Sequence, residues 1–202
     1  MTRRPVAERR VQLAEAAIRI ATRDGLAATT TRRVAGEAGV SLGSVHYCFE
    51  SKEELLVEMT RVLVSESAAA AAAAIEAQTR PAGDVTATVR RALAAYWSSV
   101  EAEPERHLLT YELAAWGLRA GTDVGRAQRR AQLLGAGEVI ELLGREAGIR
   151  WRIEVSRLAS LVVAVTDGVT LGWLVDRDDD AAGAALDAFA RQLAAYAEPL
   201  PA

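Results

Sequence analysis

Apolar residues recur along this chain at steps of three and four, and one-by-one alternation is absent, so helices are predicted throughout. Over residues 6–23, Leu13, Ala17, Ile20 and Ala21 share one face, and Gly25 ends the helix. Thr30 is a natural N-cap for a short second helix reaching Ala38, and Gly39 suits the left-handed residue that closes it. Ser41 caps a third short helix that ends near Phe49. Ser51-Lys52-Glu53-Glu54 reads as a capping box, with Ser51 taking the Glu54 amide and Glu54 reaching back. The helix it opens continues through seven consecutive alanines, 68–74, because alanine is the strongest helix former.

The clearest break is Thr79-Arg80-Pro81-Ala82-Gly83. Helices are then predicted at about 84–101, at 104–119 with Pro104 in the first turn, at 123–147 closed by Gly148, at 152–175, and after the acidic turn 176–180 up to Pro199. The expected organisation is all-α: an N-terminal three-helix domain over 1–52, a connecting helix over 52–78, and a helical body over 79–202. No internal repeat is visible.

Charge sharpens that division. Residues 1–52 carry nine Lys or Arg against five acids, a net +4, and the other 150 residues carry 15 against 22, a net −7. A basic head on an acidic body suits a head that meets phosphate, although chance patchiness gives the same numbers. The lone cysteine, Cys48, rules out an internal disulfide and is compatible with a reducing cytoplasm. The N-terminus has no signal-peptide core, and apolar runs such as 161–165 are too short to span a bilayer, so no membrane partner is expected.

The second and third helices, joined by Ala38-Gly39-Val40-Ser41, have the length and turn chemistry of a helix-turn-helix. Val34, Ala35 and Ala38 give one small apolar face, and Val45 and Phe49 give the stripe that meets it. Leu42, Ser44, His46 and Tyr47 are then left on the outer side. Gly43 permits close approach of the helix start to a duplex, and Ser44, His46 and Tyr47 reach base edges or phosphates. Thr31 and Arg32 suit backbone phosphate. Lys52 opposes its own helix dipole, which is understandable if it meets a phosphate. Arg3, Arg4, Arg9 and Arg10 read as a basic arm along the DNA backbone or minor groove. A structural helical corner with a solvated basic tail fits the same pattern.

The stretch from Thr30 to Leu55, TTRRVAGEAGVSLGSVHYCFESKEEL, resembles the signature of TetR-family regulators, and the motif-level match covers residues 8 to about 60. The resemblance implies that the helix after Gly39-Val40-Ser41 reads the major groove and that the lysine opening the fourth helix binds phosphate. Carried over position by position, it implies DNA contacts at Thr31, Arg32, Leu42, Gly43, Ser44, His46, Tyr47 and Lys52. The triplet His46-Tyr47-Cys48 departs from the family's usual Tyr-His-Tyr, so operator sequence does not carry over. Cys48 beside His46 lacks further ligands for a structural zinc, and a small, partly buried thiol is the expected reading rather than a metal or redox site.

The body holds all four tryptophans. Aromatic residues fill cores by default. The family resemblance implies an effector pocket among the fifth to eighth helices, near Trp97, Tyr111, Trp116, Leu134, Ile140, Val165 and Thr166. Asp167 and Glu112 would favour a cationic ligand there. Leu158, Val162, Val165, Gly168, Val169 and Gly172, with Leu186, Phe189 and Leu193 of the last helix, form stripes expected at a homodimer interface, a four-helix bundle. The same stripes fit burial within one subunit. A two-fold dimer would double the short site that one helix-turn-helix reads, so a palindromic double-stranded operator is expected.

An enzyme is not expected. With two histidines and one cysteine, the chain has no nucleophile elbow, P-loop, dinucleotide fingerprint or HExxH motif, and no cofactor or metal site is indicated. The expected function is a cytoplasmic DNA-binding repressor released by a small-molecule effector. The alternative is an interaction module on the same fold that has lost DNA binding.

Overall fold

In the computed structural model, which describes residues 5–77 and 84–200, the chain is helical with one small strand pair. The order is α1 (Val6–Asp24), α2 (Thr31–Glu37), α3 (Leu42–Cys48), α4 (Lys52–Glu76), α5 (Val85–Ala102), α6 (Pro104–Ala120), α7 (Val124–Ala147), β1 (Ile149–Trp151), α8 (Val155–Asp176), α9 (Asp179–Ala194) and β2 (Ala197–Pro199). A single 3₁₀ turn, Leu26–Ala28, follows α1. The 79–83 break and the residues Arg3 and Arg4 lie outside the described residues.

Packing divides the chain into two compact units, residues 1–64 with 105–131, and residues 65–104 with 132–202. The division does not follow a single break near residue 79, because α4 and α7 each contribute to both units.

In the first unit, Leu13, Ala17, Ile18 and Ile20 of α1 meet Val34, Val45, Phe49, Leu55, Leu56 and Met59, with Leu109, Leu113 and Val124 completing the core. Residues from α6 and α7 thus stabilise the unit that carries the short helices. In the second unit, α9 packs on α5 and α8, and Ile75, Val89, Leu93, Ile140, Leu158, Leu186, Phe189 and Leu193 form its core.

The β1–β2 pair is antiparallel, with Arg150 opposite Glu198 and an ion pair of 2.8 Å between them. Backbone pairing continues past β1, with the Arg152 N–H on the Tyr196 carbonyl at 2.8 Å, and α8 starts at Val155, three residues later than the periodicity predicts. Trp151 donates its indole N–H to the Ile140 carbonyl at 3.1 Å.

α8 is longer and more apolar than the short apolar runs of the sequence suggest. Its 22 residues are long and apolar enough to cross a membrane by composition, with a mean hydropathy of 1.8 over the most apolar window. One face carries Leu158, Ala159, Val163, Thr166, Thr170 and Trp173 into the core. The other exposes Ala164, Gly168, Leu171, Gly172 and Val175, with Val175 80% exposed.

Candidate nucleic-acid interface

Local hydrogen bonding builds the two short helices. Thr30 accepts from the Arg33 amide at 3.3 Å, and Ser41 accepts from the Ser44 amide at 3.2 Å. At the end of α2, Val40 N–H reaches the Ala35 carbonyl at 3.0 Å and Gly39 N–H reaches that of Gly36 at 3.2 Å. Gly39 has φ +65°, so this is a Schellman closure that requires a left-handed residue. Gln12 of α1 donates to the Ala38 carbonyl at 3.2 Å, tying the turn to α1.

With the turn so fixed, α3 buries Val45 and Cys48, and Phe49 follows them into the core. The opposite side faces solvent: Leu42 is 41% exposed, Tyr47 66%, and Gly43 and His46 are exposed too. Ser44 is half-buried, and its hydroxyl lies 2.9 Å from that of Ser41. Ser41, Gly43, Ser44, Tyr47 and Cys48 line a groove with Val6 and Arg9 of α1. Thr31 is half-buried and Arg32 exposed at the start of α2, and Lys52 is exposed at the start of α4. Ser51 accepts from the Glu54 amide at 3.1 Å, as the capping box predicts, but Glu54 reaches back to the Glu50 amide (2.8 Å), one residue before the cap.

The basic surplus of this unit is less available than the count suggests. Arg19 and Arg23 pair with Glu37 at 3.0 and 3.5 Å, and Arg33 pairs with Asp24. Hydrogen bonds from Arg23 and Arg33 hold the Asp24 carboxyl below its ordinary value, and one from Arg19 does the same for Glu37. Arg10 also departs from the basic-arm expectation. Its side chain is turned inward, onto Glu54 and the Cys48 carbonyl. Burial raises the Cys48 thiol above its ordinary value, although Arg9 and Arg10 pull it the other way. Cys48 is therefore a core thiol on the inner side of α3.

Two short capped helices joined by a tight glycine turn, the second anchored on its inner face and exposed on its outer face, form a helix-turn-helix, the architecture of a class of DNA-binding proteins. Residues 13–59 match the family model described as bacterial regulatory proteins, tetR family. The match places the N-terminal helix-turn-helix unit with those of TetR-family DNA-binding transcriptional regulators. It is 27% identical over 173 residues to the nicotine-responsive transcriptional repressor HdnoR of Paenarthrobacter nicotinovorans, covering 85% of this chain and 87% of that one. It is also 38% identical over 82 residues to the transcriptional regulator BetI of Rhizobium meliloti strain 1021, or 41% and 40% of the two chains. Among solved structures, the multidrug binding protein EbrR complexed with imidazole superposes with a TM-score of 0.66 at 27% identity, covering 96% of this chain and 97% of that one. A transcriptional regulator from Rhodococcus sp. RHA1 shares the fold, with a TM-score of 0.62 at 24% identity over 94% and 98%.

The residues expected at an effector pocket fall in both packing units. Tyr111 and Trp116 belong to the first, where Trp116 packs against the core beneath the short helices. Trp97, Leu134, Ile140, Val165 and Thr166 belong to the second. Within it, Ile140 is buried and Leu134 is 68% exposed. Trp97 stands edge-on to Trp173 with ring centroids 5.4 Å apart.

The second unit also holds a polar cluster in apolar surroundings. The Tyr96 hydroxyl and Thr170 hydroxyl lie 2.7 Å apart, and Gln132 donates to Asp167 at 3.2 Å. Burial pushes the Tyr96 phenol up to about 12. Thr170 and Gln132 were not among the expected pocket residues. The readable signal was Thr166, Asp167 and Thr170 on one stretch of an otherwise apolar helix.

Of the residues expected at a dimer interface, Leu158, Leu186, Phe189 and Leu193 are buried within their own unit. Their side chains fill the α5–α8–α9 core, which leaves them little surface to offer a partner. Val162, Val165 and Val169 are half-buried, and Gly168 and Gly172 are exposed with open space where a side chain would stand.

Proposed function

We propose that this protein is a cytoplasmic repressor that holds a palindromic operator as a homodimer and is released from it by a small-molecule ligand. The observation that carries the reading is the outer face of α3. Leu42, Gly43, His46 and Tyr47 stand in solvent on a helix whose inner face is locked into the core. In this reading Ser44, His46 and Tyr47 contact base edges or phosphates, and Thr31, Arg32 and Lys52 take phosphates.

The dimer reading rests on α8. A helix apolar all round is ordinarily covered all round. Only 33% of the apolar window of α8 is buried within this chain. The uncovered face is a ridge of Ala164, Gly168 and Gly172 beside Leu171 and Val175, which suits close approach of a second copy. Gly172→Arg is expected to convert dimer to monomer in sedimentation and to weaken operator binding together.

For the effector, Asp167 near Tyr96 suits a small nitrogen base, with a carboxylate for the charge and an aromatic ring for the body. Nicotine, named for one relative, and imidazole, bound to a structural neighbour, are both nitrogen bases. Release requires the ligand to bind the DNA-incompetent conformation more tightly.

The test is fluorescence anisotropy with duplexes enriched by the protein from a randomised pool, followed by titration with nicotine and imidazole. Sequence-selective binding is expected, with release by a base and a change in tryptophan emission. A well-folded protein that enriches no sequence overturns the DNA-binding part. Retained operator binding under every nitrogen base tried overturns the effector class.

A further inference from the structure

We infer that Arg10 positions the reading helix α3 against α4 for DNA recognition, and does so without touching DNA. This inference rests on the DNA-binding reading. By sequence, Arg10 belongs with Arg9 in a basic arm, but the two arginines do different things. Arg9 lines the groove beside Ser41, Gly43, Ser44 and Tyr47. Arg10 is only 26% exposed at its side chain and is held by four groups from outside its own helix.

Its Nη1 donates to the Cys48 carbonyl at 2.6 Å and to Glu54 Oε1 at 2.5 Å. Its Nη2 lies 3.7 Å from Glu58 Oε2. Its guanidinium carbon sits 4.4 Å from the centre of the Phe49 ring. The Cys48 carbonyl belongs to the last turn of α3, where helical carbonyls lack partners within the helix. Phe49 is the residue where the chain leaves α3, and Glu54 and Glu58 lie on the first turns of α4.

One planar group therefore closes the end of the reading helix, stacks on the exit residue and pairs with the next helix. Glu54 extends the device by accepting the Glu50 amide at 2.8 Å, so its carboxylate holds both sides of the α3–α4 elbow. Arg10 supplies several donors in a fixed plane together with a stacking face, which a lysine ammonium does not. Through these contacts Arg10 fixes the angle at which α3 meets the first turns of α4.

A positioning group and a phosphate contact leave different signatures. Losing a phosphate contact weakens all duplexes alike and lowers the dependence of log K on log salt by about one. Losing a positioning group spoils the register of base contacts and leaves the counterion count unchanged.

The experiment compares wild type, Arg10→Lys, Arg10→Ala and Glu54→Gln. Each is measured on the duplex that wild type enriches from a randomised pool and on an unrelated duplex, across a salt series. Circular dichroism at the same temperature confirms folding. The expected result is a tenfold or greater loss on the enriched duplex for Arg10→Lys and Arg10→Ala. Affinity for the unrelated duplex and the salt slope should stay unchanged. Glu54→Gln should lower the ratio in the same direction, and if the Arg10 variants do not fold, this variant decides.

Full binding by Arg10→Lys, or a parallel loss on both duplexes with a lower slope in Arg10→Ala, overturns the inference. An unchanged ratio in folded Glu54→Gln overturns it as well. A wild type that enriches no duplex fails the DNA-binding reading itself, whereas an enriching wild type with unaffected variants fails only this one.

Discussion

A Cβ placed on Gly117 would fall 2.7 Å from the backbone nitrogen of Gly125 and 3.1 Å from the Cβ of Val124, so α6 and α7 meet backbone to backbone beside the core of the first unit. At Gly125 itself the nearest atom to a new Cβ is the Ala114 carbonyl oxygen at 3.5 Å, an ordinary contact. Gly117→Ala is therefore expected to destabilise by about 1–3 kcal/mol, since backbone must move. Gly125→Ala should be neutral or stabilising by up to about 1 kcal/mol through helix propensity. Urea unfolding of the two variants checks the difference in sign.

Ser41 fixes the start of the reading helix through its own side chain. Ser41→Ala is expected to cost about 1 kcal/mol of stability, and Ser41→Asp to retain most of the cap. The Ser44 hydroxyl also loses its partner in the alanine variant. Thermal unfolding checks the stability and an operator titration checks the binding. Equal stability of the alanine and wild-type proteins would mean that the cap is not supporting α3.

Lys52 is exposed at the start of α4, where its charge opposes the helix dipole. Lys52→Ala is expected to lower the salt slope of DNA binding by about one, on specific and unrelated duplexes alike, with no loss of melting temperature. Tyr47→Ala should weaken the enriched duplex selectively. Unchanged affinity in both variants would favour an interaction module that no longer binds DNA.

The Glu54 carboxyl is held below its ordinary value of 4.5, first by the Glu50 amide and then by Arg10. A carboxylate whose folded value is depressed favours folding at any pH above its unfolded value. That contribution is lost as the pH falls from about 4.5 through the lower folded value. Glu54→Gln is expected to show a shallower fall of melting temperature below pH 4.5 than wild type. Parallel acid profiles for the two proteins would contradict it.

Cys48 is 6% exposed, and desolvation keeps its thiol protonated above the ordinary range. Ellman's reagent at pH 8 is expected to react slowly with the native protein and rapidly after denaturation, because the thiolate is the nucleophile. Immediate reaction of the native protein would place Cys48 on the surface of α3.

The features that the sequence determined are those whose partners lie close along the chain. Thr30, Ser41 and Ser51 each find the amide three residues on, and Gly39 needs only its own positive φ, so the short helices and their turn were readable before any fold. The inward stripe of Val45 and Phe49, and with it the outward side of α3, followed from helical spacing alone.

The tertiary structure decided what distant packing controls. Arg10 resembles the other arginines in the sequence, and its role appears only when Cys48 and Glu54, 38 and 44 residues away, are brought beside it. Residues 149–151 become a strand because 197–199 return to pair with them. Leu186, Phe189 and Leu193 have the spacing of a contact stripe, and α5 and α8 decide that they serve the subunit's own core. Helical periodicity specifies that a face is to be covered, but the covering surface is set by chain closure over long separations, which no local spacing encodes.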